Sequence, residues 1–379
     1  MLRPMIRRFL TGATVALSGL ALSAFMPARA GHGTAAAKLP PIKHVFLIVL
    51  ENESFETTFG ANTKAPYLAN TLRRAGGFLT QYYGTGHSSL DNYISMISGI
   101  APTPATQADC GRFDEFVETG IAPDGQPIGS GCVYPAHVPT IASQLTDNHL
   151  TWKAYMEGMG NDPAREPATC AHPAIGSRDE TSRSTPTDRY ATKHNPFMYF
   201  HSVIDLPSCD ENVVPLTRFE ADLASAATTA NYNFITPDLC HDGHNSPCKN
   251  GEPGGLVSAD SFLAHWVPII MKSPAYRDAG LIIITFDEAA SADASACCNE
   301  PSGPNTTLPG AHGPGGGRVG AVVLSRFIKP GTVSKVPYNH YSMLRSVEDL
   351  FSLKHIGYAG LRGLVPFGAD VYTRPRRVK

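Results

Sequence analysis

Two pairs of oxygen-bearing residues close two apolar runs in this 379-residue chain. Glu51-Asn52 follows His44-Val45-Phe46-Leu47-Ile48-Val49-Leu50, and Asp287-Glu288 follows Leu281-Ile282-Ile283-Ile284-Thr285-Phe286. Carboxylates and a carboxamide are hard oxygen ligands of the kind that Mg²⁺ and Ca²⁺ take. Such runs, rich in Val, Ile, Leu and Phe without polar alternation, read as strands buried on both faces of a parallel sheet. Ligands of open α/β sheets bind at the carboxyl ends of the strands, so the two pairs are expected to converge on one cation. Acidic residues in that position also begin turns or cap helices. After Asp287-Glu288, however, come Ala289-Ala290-Ser291 and a loop rich in Gly, Pro and Cys, which leaves no long helix to cap.

A third group, Gly84-Thr85-Gly86-His87-Ser88-Ser89-Leu90-Asp91-Asn92-Tyr93, follows a strand-like Phe78–Tyr83 segment. Leu90, Tyr93, Ile94, Ile97 and Ile100 then recur at helical spacing, which sets Ser88 and Ser89 near a helix N-terminus. Backbone N–H groups and the helix dipole favour a phosphate there. A serine at that point is ordinarily an N-cap; as a nucleophile it needs activation, which a metal ion supplies by lowering the hydroxyl pKa.

With Pro237-Asp238-Leu239-Cys240-His241-Asp242-Gly243-His244, Thr285-Phe286-Asp287-Glu288 and Tyr338-Asn339-His340-Tyr341-Ser342-Met343-Leu344-Arg345, these motifs resemble, in order, those of the bacterial phosphoesterase family. The likeness runs from about Ile42 to Leu353. It implies an alkaline-phosphatase-like α/β/α sandwich with a mostly parallel sheet, acting as a secreted acid phosphatase, a phosphoinositide phosphatase or a phospholipase C. Carried over residue by residue, it makes Glu51, Asn52, Asp287 and Glu288 the metal ligands and Ser89 the nucleophile, itself bound to a divalent cation (Ca²⁺, Mg²⁺ or Zn²⁺). His87, Asn92 and His194 would stabilise phosphoryl oxygens. Asp242, His244 and His312 would hold a second ion or protonate the leaving group. Ser88 and Asp91 stand where the family usually has proline, and Asn339 where it has aspartate before His340. His312 is the candidate for a histidine that the family often carries at Arg318.

The implied reaction is hydrolysis of a phosphate monoester, a small molecule or a lipid head group, through a phosphoserine. Below their usual pKa of about 6.5 the histidines would be cationic and favour a dianionic monoester at mildly acidic pH. A phospholipase C-type phosphodiesterase and a non-catalytic secreted binding protein are the competing readings. A sulfatase would need Cys/Ser-x-Pro-x-Arg, and no such motif follows Ser88 or Ser89.

To hold these residues, strand and helix must alternate along the chain. Helical segments are expected over 67–75, 140–145, 215–226, 259–270 and 341–350, with strands at 232–236 and 319–324. That alternation indicates an α/β sandwich. Residues 1–30 read as a signal peptide, with Arg3, Arg7 and Arg8, an apolar stretch from Phe9 to Phe25 and an Ala28-Arg29-Ala30 cleavage site. A periplasmic or secreted protein follows, without a stable membrane anchor, with 31–379 as a single phosphoesterase domain and a monomer expected. Net charge of −2 without a basic patch speaks against nucleic acid. Eight cysteines in an exported chain imply disulfides. Nearest-in-chain pairing gives Cys110–Cys132 and Cys170–Cys209, each closing a polar loop insertion (109–139 and 158–188). Adjacent Cα atoms lie closer than disulfides prefer, so Cys240 and Cys248 are expected to pair with Cys297 and Cys298.

Overall fold

Every residue of the His44–Leu50 strand is buried, and so is every residue of Gly280–Phe286. Successive side chains of a strand point to opposite faces, so a strand without an exposed residue is covered on both. In the computed structural model, which describes residues 39–290 and 292–374, these two strands lie side by side and parallel, with Leu50 opposite Phe286. They form the centre of an eight-stranded sheet. Its order is Thr332–Ser334, Gly77–Leu79, Ala321–Ser325, Gly280–Phe286, His44–Leu50, Tyr232–Thr236, Trp152–Met156, Val213–Pro215. Only Ala321–Ser325 runs against the rest. The helices pack as two groups, Ser89–Ser98 with His340–Phe351 and Ile141–Asp147, and Gly255–Lys272 with Pro274–Ala279 and the 67–72 turn. The chain is therefore an α/β protein with a mostly parallel sheet, and Lys38–Lys379 forms one compact unit. The expected signal peptide lies outside the described residues.

Several expected elements differ in detail. The Phe78–Tyr83 segment divides at Thr80-Gln81; Gly77–Leu79 joins the main sheet and Tyr82–Tyr83 pairs with Tyr338–Asn339. Residues 215–226 are not one helix but two single turns, Leu216–Arg218 and Phe219–Asp222. The Trp152–Met156 strand was not expected, because Lys153 breaks its apolar run; the ammonium leaves the sheet to meet Asp222 at 2.7 Å.

All eight cysteines are paired. Cys110–Cys132 and Cys170–Cys209 form as expected. The other expected pairing is wrong: Cys240 bonds Cys248, and Cys297 bonds its neighbour Cys298. Cys240 and Cys248 face each other within one loop, their Cα atoms 5.4 Å apart. Cys297 lies instead against Tyr338 O, and Cys298 against the Tyr341, Tyr358 and Leu364 cluster. No helix among the described residues is long and apolar enough to cross a membrane.

Candidate active site

The sheet ladder continues past its strand ends and gathers three acidic segments. Asp287 N–H donates to Leu50 O and Glu51 N–H to Asp242 O, each at 2.8 Å. Because Leu50 and Phe286 are register partners, the residues that follow them emerge together. Asn52 turns the chain in a left-handed conformation, φ 58°, which Asn tolerates. That turn brings its N–H to Asp287 Oδ1 at 2.9 Å. Its Nδ2 donates to Glu51 Oε2 at 2.5 Å.

Over these strand ends sits the serine turn. Ser88 is the N-cap of the Ser89–Ser98 helix but makes no side-chain cap bond; its Oγ donates to Gln107 O at 2.8 Å. Ser89, buried, donates from Oγ to Glu51 Oε2 at 3.0 Å. Asn92 holds the turn from below. Its Oδ1 accepts from Thr85 N–H and Gly86 N–H, both 2.9 Å, and its Nδ2 donates to Gly86 O and Ser88 O and to Glu288 Oε2 at 2.9 Å. The turn passes so near the acidic loop that a Cβ on Gly84 would stand 2.7 Å from Asp287 O.

The histidines divide. His194 is buried, its Nε2 3.0 Å from Glu51 Oε1 and its Nδ1 3.8 Å from Asp242 Oδ2, and it stacks on Tyr93. His87 Nδ1 lies 3.5 Å from Glu288 Oε1. His244, half exposed, has Nδ1 4.0 Å from Glu51 Oε2. His312 is not brought in: it is exposed, turned outward by a tight loop that Gly310 N–H closes on Gly313 O, and no contact joins it to the carboxylates. Arg318 lies over the Phe55 ring. His340 is buried beneath the site, bonding Asp287 O and Tyr82 OH.

Glu51, Asp242, Asp287 and Glu288 are all buried, and burial with mutual repulsion raises each carboxyl well above its ordinary range. Glu51 Oε1, Asp242 Oδ2 and Asp287 Oδ2 have no hydrogen-bond partner. Ionised carboxylates in so dry a place are unfavourable without a counter-charge, and a divalent cation is a group these oxygens fit. Ligand atoms of Glu51, His194 and Asp242 lie within 4.8 Å of one another. Burial holds His194 well below, and His244 below, the usual imidazole value, which works against the cationic role expected from sequence.

Sequence reasoning missed three charged residues here. Lys193 Nζ reaches Asp109 Oδ2 at 2.8 Å, and its charge acts on Glu51, Asp242 and Glu288. It adjoins His194, which is the signal that would have found it. Asp109, first residue of an insertion, carries no such signal. Asp91 is buried in the helix's first turn with its carboxyl raised, mainly by burial.

The sequence matches the Phosphoesterase family over residues 62–354. It is 24% identical over 358 residues to a phosphatidylinositol-3-phosphatase of Mycobacterium tuberculosis, covering 94% of this chain and 93% of that protein. To an acid phosphatase of Aspergillus fumigatus it is 22% identical over 315 residues, covering 82% of this chain but only 55% of the fungal protein. Among solved structures, the alkaline phosphatase PafA aligns over 88% of this chain and 100% of its own, at 11% identity and a TM-score of 0.48.

Proposed function

The chain belongs to the Phosphoesterase family, and from that premise we propose that it is a metal-dependent phosphatase that hydrolyses phosphate monoesters through Ser89. One observation carries the reading: the Ser89 hydroxyl donates at 3.0 Å to Glu51, in a buried group of carboxylates whose free oxygens ask for a cation. Glu51, Asn52, Asp287 and Glu288 would hold that cation, with His194 and Asp242 bordering it on the other side of Glu51. A divalent cation bound there lowers the hydroxyl pKa and offsets phosphoryl charge.

Ser89 Oγ attacks phosphorus as the bond to the leaving oxygen breaks, and the hydroxyl proton passes to Glu51 Oε2, its present acceptor. His244, on the open side and 4.0 Å from Glu51 Oε2, would protonate the departing oxygen after taking up a proton from solvent. Water then cleaves the phosphoserine and regenerates Ser89. Asn92 acts by fixing the turn that aims Ser89, and His87 faces the phosphoryl group beside Glu288. The likeness to a phosphatidylinositol-3-phosphatase extends the proposed substrates to phosphoinositide head groups. Export to an oxidising compartment agrees with the absence of free thiols among the described cysteines.

Rates on p-nitrophenyl phosphate and bis-p-nitrophenyl phosphate, each with and without chelator, test the reading. Chelator-sensitive turnover of the monoester is expected. Full activity after metal removal would rule out the proposed cation, and a preference for the diester would favour the phospholipase C-type alternative.

A further inference from the structure

Four buried carboxylates, Glu51, Asp242, Asp287 and Glu288, face a substrate that brings two more negative charges. A fixed positive charge at the phosphate is therefore needed besides the cation. The geometry points to Lys193 as that charge, binding a phosphoryl oxygen of the substrate, and to Asp109 as the residue that positions it; this rests on the phosphatase reading above.

Lys193 immediately precedes His194, whose ring touches Glu51, so its backbone is anchored at the edge of the cluster. The side chain is only 14% exposed and ends 2.8 Å from Asp109 Oδ2. The other oxygen, Oδ1, accepts from Leu90 N–H at 3.1 Å. Leu90 follows Ser89 in the first turn of its helix. One carboxylate thus ties the ammonium to the backbone beside the nucleophile. Asp109 does so from a left-handed conformation, φ 51°, next to the Cys110–Cys132 disulfide at the root of the insertion. Non-glycine residues hold such conformations where the surrounding structure imposes them, and functional sites are a common place for it.

Arg165 is paired with Asp188, Arg189 with Asp238, and Arg318 is held by Thr80 O and the Phe55 ring. Lys193 is instead held at the edge of the acidic cluster, through Asp109 on one side and the neighbouring His194 on the other. Its charge would contribute more to a dianionic monoester than to a monoanionic diester, so it also sets that preference. A purely structural ion pair, by contrast, would affect both substrates alike.

The test compares Lys193→Met, Lys193→Arg and Asp109→Asn with wild type on the two p-nitrophenyl esters, with inhibition by inorganic phosphate, bound metal and melting temperature measured alongside. Lys193→Met is expected to lower kcat/KM for the monoester by about 10²-fold, the effect of losing one transition-state donor. The diester should lose roughly tenfold less, phosphate inhibition should weaken, and metal content should hold. Lys193→Arg should recover part of the loss, and Asp109→Asn should raise KM for the monoester more than it lowers kcat. Equal losses on both esters, or a folded Lys193→Met with wild-type monoester kinetics, would overturn the inference. If Lys193→Met does not fold, Asp109→Asn decides: unchanged monoester KM and phosphate inhibition would overturn it. Wild-type enzyme inactive on both esters would instead remove the phosphatase reading and this inference with it.

Discussion

Glu51→Gln should reverse its effect on stability according to whether a cation is present. Without metal, burial and the neighbouring Asp287 raise the Glu51 carboxyl, so folding at neutral pH must either bury an ionised group or take up a proton. A glutamine removes that cost. Its Oε1 still accepts from Ser89 and Asn52, and its amide meets the His194 ring at the position where Glu51 Oε1 now lies 3.0 Å away. In chelator the variant should therefore melt at or above wild type. With a divalent cation at a hundred times its Kd, wild type should gain about 2.7 kcal/mol. For the compact unit Lys38–Lys379, of roughly 340 residues, the unfolding entropy is about 0.7 kcal/mol/K, so the gain is about 4 °C in melting temperature. Glu51→Gln, having lost a ligand, should gain less than about 1 °C under the same conditions. Scanning fluorimetry of both proteins in EDTA and in Mg²⁺, Ca²⁺ and Zn²⁺ reads this out. A wild-type melting point that no cation moves would refute the reasoning, as would a variant destabilised equally in EDTA and in cation.

Ser89→Ala should lower kcat by at least about 10³-fold while leaving the fold intact. Ser88→Ala removes only a bond to Gln107 O, so it should cost about 1 kcal/mol of stability and keep near-wild-type turnover; the opposite ranking in a p-nitrophenyl phosphate assay would reassign the nucleophile. Burial lifts Glu348 from 4.5 to about 8, so the folded state binds its proton more tightly than the unfolded one. Its contribution is then complete below about pH 4.5 and is lost as pH rises to about 8. Glu348→Gln, which keeps an oxygen for Ile356 N–H, should match wild type near pH 4.5 and exceed its melting temperature by several degrees near pH 8; a difference that does not widen with pH would count against the buried proton. Thiol titration of denatured, unreduced protein should find close to no free thiol, since every described cysteine is bonded, and several free thiols would argue against an oxidising compartment.

The sequence by itself determined the two central strands and the residues that sit at their ends. Six consecutive apolar residues from Val45 and the run closing at Phe286 admit few structures other than buried strands, and side-chain burial is a local pattern. The serine turn was equally legible, because Leu90, Tyr93, Ile94 and Ile97 mark one helix face. Only the tertiary structure decided which of these residues touch. That Ser89 rather than Ser88 meets Glu51 depends on the rotation of one helix turn against a strand 38 residues earlier. His194 and Lys193 join the site because their loop packs beneath the Glu51 strand end, and His312 is excluded because its glycine-rich loop turns outward. The cysteines carry the same lesson: pairing follows the distance between Cα atoms in the folded chain, and neither Cys240 nor Cys297 carries that distance in its local sequence. Charge was the least legible of all. Whether a histidine is cationic or a carboxylate keeps its proton depends on desolvation and on neighbours from distant segments. The sequence could therefore suggest cationic histidines, while burial in the folded chain lowers His194 and His244 instead.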